Sequence, residues 1–288
     1  MAKPSREYLL SLRADGWTVN EMAIQYDVNE RTIRKWLTKL PDLPRMPRID
    51  LDVPITIEGK TVTITADWHI PLHSEEWINR MMKTSMEHDS EVLLVAGDWF
   101  NFDSLSSYDP KQNSAGLELE LETGRAMMEA MLQIFPEVVY LWGNHDARLH
   151  RSLGYKIRFD NAMRTVFGEL GSDALSRIQF SSLDHCWIQT PRGTWYVCHP
   201  QAYSSVPLAT GRKMAPIHPS KHIITAHSHH CAVGYAPDGV SVVAEAGGLF
   251  DATKTAYLQR ATTFPRWQNG YGILEDDGSF HLHSAGWD

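Results

Sequence analysis

The sequence predicts an α/β body, a β-sandwich flanked by helices, behind a small all-α head. Three observations predict it. From residue 55 onward, strand-like apolar runs alternate with helical stretches, the rhythm of layered α/β folds. Residues 1–40 read instead as short helices with no strand pattern. Between the two lies PDLPRMPRIDLDVP, whose four prolines prevent helix and favour an extended, semi-rigid connector. The expected organisation is therefore a head over 1–40, a proline-rich linker over 41–55 and a body over 56–288.

In the head, SREYLLSLRADG has apolar residues at helical spacing and stops at Gly16. WTVNEMAIQYDV gives a second short helix. Asn29 is a good N-cap for ERTIRKWLTKL, with Val28, Ile33, Trp36 and Leu37 facing inward. Two short helices joined by a tight turn, the second carrying Arg31, Thr32, Arg34 and Lys35, look like a helix-turn-helix. The pattern resembles phage and transposase-type helix-turn-helix segments, which implies DNA binding through those four residues. A helical bundle used for protein contacts is the alternative. The head holds seven Lys/Arg against five Asp/Glu, so a net charge of −8 leaves the body near −10.

In the body, TVTITA, EVLLVA and EVVYLW read as buried strands, with helices over EEWINRMMKTSMEH and around LELELETGRAMMEAMLQIF. CWIQT, TWYVCH, HIITAH, VSVVAEA, GYGILE and SFHLHS read as later strands forming a second sheet. At 43% hydrophobic and 22% charged residues, the chain has ordinary globular composition, and 288 residues suffice for a sizeable core. The acidic balance argues against a protein that coats nucleic acid along its whole surface. Three cysteines without CxxC spacing argue against a disulfide framework or a structural zinc site and suit a reducing, cytoplasmic compartment. No stretch approaches a membrane span.

Chemistry is concentrated at the strand ends. TVTITA runs into Asp67-Trp68-His69, EVLLVA into Gly97-Asp98, and EVVYLW into Gly143-Asn144-His145-Asp146. TWYVC runs into His199, and HIITA into His227-Ser228-His229. Any one of these is ordinary turn chemistry. Five in succession supply carboxylate, amide and imidazole donors, the ligand set of hard-to-borderline divalent metals. Sites in open α/β sheets gather at the carboxyl ends of strands, so the five clusters can converge.

The order DxH, GD, GNHD, H and AHSH resembles the calcineurin-like metallophosphoesterases over about residues 60–283, with Ala226 in place of the glycine of the usual GHxH. The resemblance implies a metallophosphoesterase β-sandwich with two divalent ions, Mn²⁺ favoured and Fe²⁺ or Zn²⁺ as alternatives. One ion would be held by Asp67, His69, Asp98 and His229. The other would be held by Asp98, Asn144, His199 and His227. A hydroxide shared by the ions would attack, and His145 would act as general acid. Asn101 would prop that histidine, Arg148 would reach a substrate phosphate or form a surface ion pair, and Asp146 would orient His145 or cap the turn.

The chain reads GDWFNFD and GNHD where the phosphoprotein-phosphatase branch has GDxxDRG and GNHE. It looks more like the repair-nuclease and phosphodiesterase branches. With its head it resembles phage-encoded members of the superfamily, which implies a DNA substrate and the cytoplasm of an infected bacterium. The expected activity is a DNA-directed phosphodiesterase. The alternatives are a phosphomonoesterase acting on nucleotides or phosphoproteins, and a regulatory DNA-binding protein on a phosphoesterase scaffold. Oligomeric state is open, with a homodimer suggested by the pairing habit of helix-turn-helix proteins.

Overall fold

A computed structural model describes residues 3–38, 52–106, 116–255 and 266–285. The chain divides into two compact units, Met1–Leu51 and Asp52–Asp288. The linker prolines Pro41, Pro44 and Pro47 lie outside the described residues.

The first unit holds α1 (Arg6–Ala14), α2 (Val19–Gln25) and α3 (Glu30–Leu37). Each starts on a side-chain cap that satisfies an orphan N–H of the first turn. Ser5 accepts from the Tyr8 N–H, and Thr18 and Glu21 form a reciprocal capping box. The Asn29 side-chain oxygen Oδ1 accepts from the Thr32 N–H at 2.8 Å. Leu9, Met22, Ala23 and Ile33 form the small core, with Val28, Trp36 and Leu37 packed against it. The Arg6 guanidinium donates to the Leu37 carbonyl at 3.0 Å, tying α1 to the end of α3.

The second unit is a sandwich of two mixed, six-stranded sheets. In chain order it contains β1 (Ile55–Glu58), β2 (Val62–Thr65), α4 (Glu75–Glu87), β3 (Val92–Ala96), α5 (Leu117–Leu132) and β4 (Glu137–Leu141). Then follow α6 (Asp146–Ser152), α7 (Phe159–Val166), α8 (Gly171–Ser176), β5 (Ile178–Phe180), β6 (His185–Thr190) and β7 (Gly193–Cys198). Last come α9 (Ala209–Met214), β8 (His222–Thr225), β9 (Cys231–Tyr235), β10 (Val242–Ala246), β11 (Gly270–Leu274) and β12 (Phe280–Ser284). One sheet runs β12-β11-β2-β3-β4-β5 and the other β1-β6-β7-β8-β10-β9.

The uninterrupted apolar runs follow from this layering, because the central strands are buried on both faces. In β3, Val92, Leu94 and Ala96 join the core between the sheets, where they meet Val197, Ile224 and Ala244. Leu93 and Val95 turn the other way, into the core with Met81 of α4 and with Met128 and Met131 of α5.

GYGILE and SFHLHS correct one expectation. They form β11 and β12 and extend the first sheet, with β11 antiparallel to β2. The second sheet is completed instead by β1, parallel to β6, and by β9. Period alone shows which faces are buried, not which sheet receives a strand. Among the described residues no helix is long and apolar enough to cross a membrane.

Candidate metal centre

Strands β2, β3 and β4 are parallel and end level, with Thr65 opposite Val95 and Ala96 opposite Leu141. In the facing sheet β7 and β8 are parallel, with Cys198 opposite Thr225. All five motifs follow these carboxyl ends, so both sheets deliver side chains to one edge of the sandwich. Across it, Nε2 of His199 lies 3.0 Å from Oδ1 of Asn144 and 3.5 Å from Oδ2 of Asp98. Nε2 of His229 lies 3.3 Å from Oδ1 of Asp67 and 3.3 Å from Nε2 of His69.

Among the described residues three groups of candidate ligand atoms form, the atoms of each group within 4.8 Å of one another: Asp67 with His69 and His229, His69 with Asp98 and His145, and Asp98 with His199 and His227. Asp98 and His69 each belong to two groups, so the clusters form one connected centre. All seven residues expected to hold metal are brought together.

The backbone here is strained in a way the sequence did not signal. Asp67, His69, Asp98, His227 and His229 have φ of 51°, 47°, 53°, 72° and 56°. Non-glycine residues seldom adopt this left-handed region, and each costs on the order of 1–3 kcal/mol. Hydrogen bonds hold the turns in place. Trp68 and His69 both donate their N–H to the Asp98 carbonyl, at 2.9 and 3.0 Å. The His227 N–H donates to Oδ2 of Asp67 at 3.0 Å, and the His145 N–H to Oδ1 of Asp98 at 2.8 Å. Ala226, the departure from GHxH, lies in the core between the sheets, where a methyl group packs without penalty.

Asp146 is fully buried, and its carboxylate hydrogen bonds go to groups other than the His145 ring. Its carboxylate accepts from the N–H groups of Asp98 (2.8 Å), Gly143 (3.1 Å) and Phe100 (3.3 Å) and from the Tyr140 hydroxyl (2.9 Å). It therefore fastens the GD and GNHD loops together. Asn101 sits beside His145 through its backbone: Nδ1 of His145 lies 2.8 Å from the Asn101 carbonyl oxygen. Arg148 donates to that same oxygen at 2.8 Å, pairs with Asp103 at 2.9 Å, and places Nη2 3.2 Å from Nε2 of His145. Arg148 thus forms an ion pair and also reaches the site.

Burial and then the Asp67 carboxylate push the Asp98 carboxyl well above its ordinary range. Burial also raises Asp67, but the imidazoles of His229, His199 and His227 together outweigh it and the net shift is downward. His145 is driven down to about 3 by burial and by the Arg148 guanidinium, and His227 to about 4 by burial and by His199. With Nδ1 directed at a carbonyl oxygen and Nε2 facing a guanidinium, His145 is a neutral ring with its proton on Nδ1.

Among the described residues, Oδ1 of Asp67, Oδ2 of Asp98 and Nδ1 of His69 and His229 are buried and make no hydrogen bond; the two carboxylate oxygens face only the ring nitrogens of other candidate ligands. Unpaired buried carboxylate oxygens are costly unless a cation answers them. These atoms, with imidazole and amide donors around them, fit a dinuclear centre for divalent cations. Sequence reasoning missed the surroundings. Phe250 packs edge-on against His69 and His229, and exposed Tyr203 against His227 at 4.8 Å. Trp68 and Trp99, inside the DWH and GDW motifs, are fully buried core residues. His230, outside the ligand set, lies 3.3 Å from the buried Glu245.

The family described as calcineurin-like phosphoesterase matches residues 60–231. No curated protein matches the chain. Among solved structures, a novel archaeal phosphodiesterase is 12% identical at a TM-score of 0.45, over 78% of this chain and 99% of that one. Vacuolar Protein Sorting 29 from Cryptosporidium parvum is 13% identical at a TM-score of 0.43, over 78% and 96%. YfcE, a phosphoesterase from E. coli, is 11% identical at a TM-score of 0.39, over 78% and 98%.

Proposed function

The chain belongs to the calcineurin-like phosphoesterase family, and from that premise we propose that it is a dinuclear-metal phosphodiesterase directed at DNA. Asp67, His69, Asp98 and His229 would hold one ion, and Asp98, Asn144, His199 and His227 the other. Bound there, two divalent ions supply Lewis-acid charge for a phosphoryl group and a nucleophilic water at neutral pH. The observation that carries the reading is the convergence of these donors around two buried carboxylate oxygens that make no hydrogen bond among the described residues and face only the ring nitrogens of other candidate ligands.

His145 serves as the acid at the departing alkoxide. To do so Nε2 must first take a proton, and an anionic ester entering the site favours that charge. Arg148 now donates toward Nε2 and toward Asn101 and Asp103. Turning to a phosphate oxygen would relieve its pressure on the imidazole and give the ester a bidentate partner. Asp146 takes no part in proton transfer; it keeps the Asp98 and His145 loops in register.

The basic face of α3 supports the DNA-directed part of the reading, with α2 and α3 acting as a helix-turn-helix. Arg31 and Lys35 are exposed, one helical turn apart. Arg34 shares its charge with Glu30 at 2.6 Å, and the Thr32 hydroxyl donates to the capping Asn29 at 2.9 Å. Of the four residues expected to contact DNA, Arg31 and Lys35 are therefore the stronger pair.

The test is hydrolysis of bis-p-nitrophenyl phosphate, p-nitrophenyl phosphate and linear DNA with Mn²⁺, Fe²⁺ or Zn²⁺, each compared with His145→Ala. Metal-dependent cleavage of the diester and of DNA, reduced at least a hundredfold in the variant, is expected. Turnover of the monoester alone would point to a phosphatase, and no turnover of any ester would end the enzymatic reading.

A further inference from the structure

Beside the metal centre a cavity of about 350 Å³ opens, its wall shared by Asn144 and His199 of the ligand set and by Trp142, His150, Arg151 and Tyr155. That volume is at the small end of the range for ligand sites, about 300–1,000 Å³. None of these last four residues belongs to the ligand set, and their chemistry is consistent: three ring systems and one guanidinium.

Their positions follow from the local chain. Helix α6 starts at Asp146 and ends at Ser152, so His150 and Arg151 lie on its last turn, one turn beyond the GNHD loop. Gly154 and then Tyr155 take left-handed conformations, with φ of 63° and 57°. This reverses the chain and brings the Tyr155 ring edge-on against His150, at 5.0 Å and 77°. A bulky residue held in that region is uncommon. Tyr155 keeps 66% of its surface exposed, so packing into a core does not explain the arrangement. Trp142 is fixed from behind, its indole N–H donating to the Ser182 carbonyl at 3.1 Å. Arg151 reaches toward the Asn144 carbonyl at 3.4 Å, and among the described residues no carboxylate pairs with it.

We propose that this cavity is a nucleoside subsite, taking one base and its sugar from the nucleotide unit next to the scissile phosphate. The inference rests on the phosphodiesterase reading above and specifies its substrate. The base lies among Trp142, His150 and Tyr155, and Arg151 meets a flanking phosphate on the Asn144 side. Stacking on aromatic side chains tolerates any base, since every base has a π-face. Asp184, on the cavity wall and 2.9 Å from His185, offers carboxylate oxygens to sugar hydroxyls or exocyclic amino groups. A recess of this size holds a single unpaired nucleoside and is too small for a stacked base pair. The preferred substrate is therefore an unpaired strand or a frayed end, from which a base can leave the stack.

The experiment compares p-nitrophenyl thymidine 5′-phosphate with methyl p-nitrophenyl phosphate, two diesters that share a leaving group. The wild-type chain with Mn²⁺ is expected to prefer the thymidine ester at least tenfold in kcat/KM, mainly through KM. Tyr155→Ala should abolish most of that preference, and Tyr155→Phe should retain it. A preference unchanged in Tyr155→Ala, or absent in the wild type, overturns the subsite. Calorimetric titration of the metal-free chain with thymidine 5′-monophosphate and with ribose 5-phosphate gives a readout independent of turnover. Saturable binding of the nucleotide alone, lost in Tyr155→Ala, supports the subsite even if no ester is hydrolysed. Equal binding of both compounds, or of neither, rejects it even if the enzyme is active.

Discussion

A β-carbon added to Gly143 would lie 2.1 Å from Oδ1 of Asp98 and 2.5 Å from its backbone nitrogen. The glycine of GNHD is needed because a metal-ligand candidate occupies the space beside it. Its φ is not in the left-handed region, so sharp turning, the usual explanation for such a glycine, does not apply here. Gly97 shows the same crowding, since a β-carbon there would meet Nδ1 of His199 at 2.5 Å. Gly143→Ala must therefore displace Asp98. Overpacking of this kind costs about 1–3 kcal/mol. The expected result is a lower urea midpoint together with a metal content below two ions per chain by elemental analysis. Wild-type values for both would show that the loop yields without cost.

Asp146 gathers four donors onto one fully buried carboxylate, and these donors differ in what their loss should do. Tyr140→Phe removes one hydroxyl and leaves three backbone N–H groups served. It should cost about 0.5–3 kcal/mol, between the ranges for a neutral and a charged acceptor, because burial raises this carboxyl to about 7. Asp146→Asn weakens the acceptor for Asp98, Gly143 and Phe100 together and turns an NH₂ group toward some of them. It should therefore cost more than Tyr140→Phe and lower metal affinity as well. Equal destabilisation by the two variants in urea would mean that the backbone N–H groups find other acceptors.

Two histidines make the stability of the metal-free chain depend on pH. His145 and His227 are held at about 3 and about 4, below the ordinary histidine value of about 6.5. Between these values and 6.5 the two imidazoles are protonated in the unfolded chain and neutral in the folded one, so their contribution to stability rises with pH across that window and falls as pH drops through it. Burial raises the Asp146 and Glu120 carboxyls to about 7 and about 8, and these groups oppose the histidines in the same range. His227→Asn should therefore lose less stability than the wild type between pH 7 and pH 5, as measured by the urea midpoint of chelator-treated protein. Saturating Mn²⁺, which binds the folded form, should raise the midpoint at pH 7. A flat profile between pH 7 and pH 5 would show that other groups offset the histidines.

Much of this was legible in the sequence, and the exceptions have physical causes. The strands and the order of the motifs were readable because a strand buried on both faces leaves a continuous apolar run, and because metal donors are chemically conspicuous. Partnership between sheets was not readable: β11 and β12 present the same pattern whichever sheet they join. Nor could sequence show that Asn101 acts through its carbonyl, since every residue carries one. Asp146 looked like a neighbour of His145, yet its four partners come from residues 98, 100, 140 and 143, a convergence set by two parallel strands. Positive φ at five non-glycine residues leaves no compositional mark. Thr32 and Arg34 looked available on a basic helix, but Asn29 and Glu30 engage them over three- and four-residue spacings.

The head offers the remaining prediction. If α3 supplies the DNA affinity, binding of the full chain to duplex DNA should weaken steeply with salt, because each phosphate contact contributes a slope of about 0.9 in log affinity against log salt. Removing Arg31 or Lys35 should reduce that slope by roughly one contact each. Arg34→Ala should reduce it less, since its charge is shared with Glu30 across one helical turn. Fluorescence anisotropy with a labelled duplex at several salt concentrations measures all three. Asn29→Ala provides the control for folding, because it deletes the cap of α3 without changing charge and should cost about 1 kcal/mol in the head. A salt slope unchanged in the Arg31→Ala, Lys35→Ala double variant would place DNA contact outside this helix. The residual affinity would then have to come from a body near −10 in net charge, which repels phosphates except where bound cations reverse its sign.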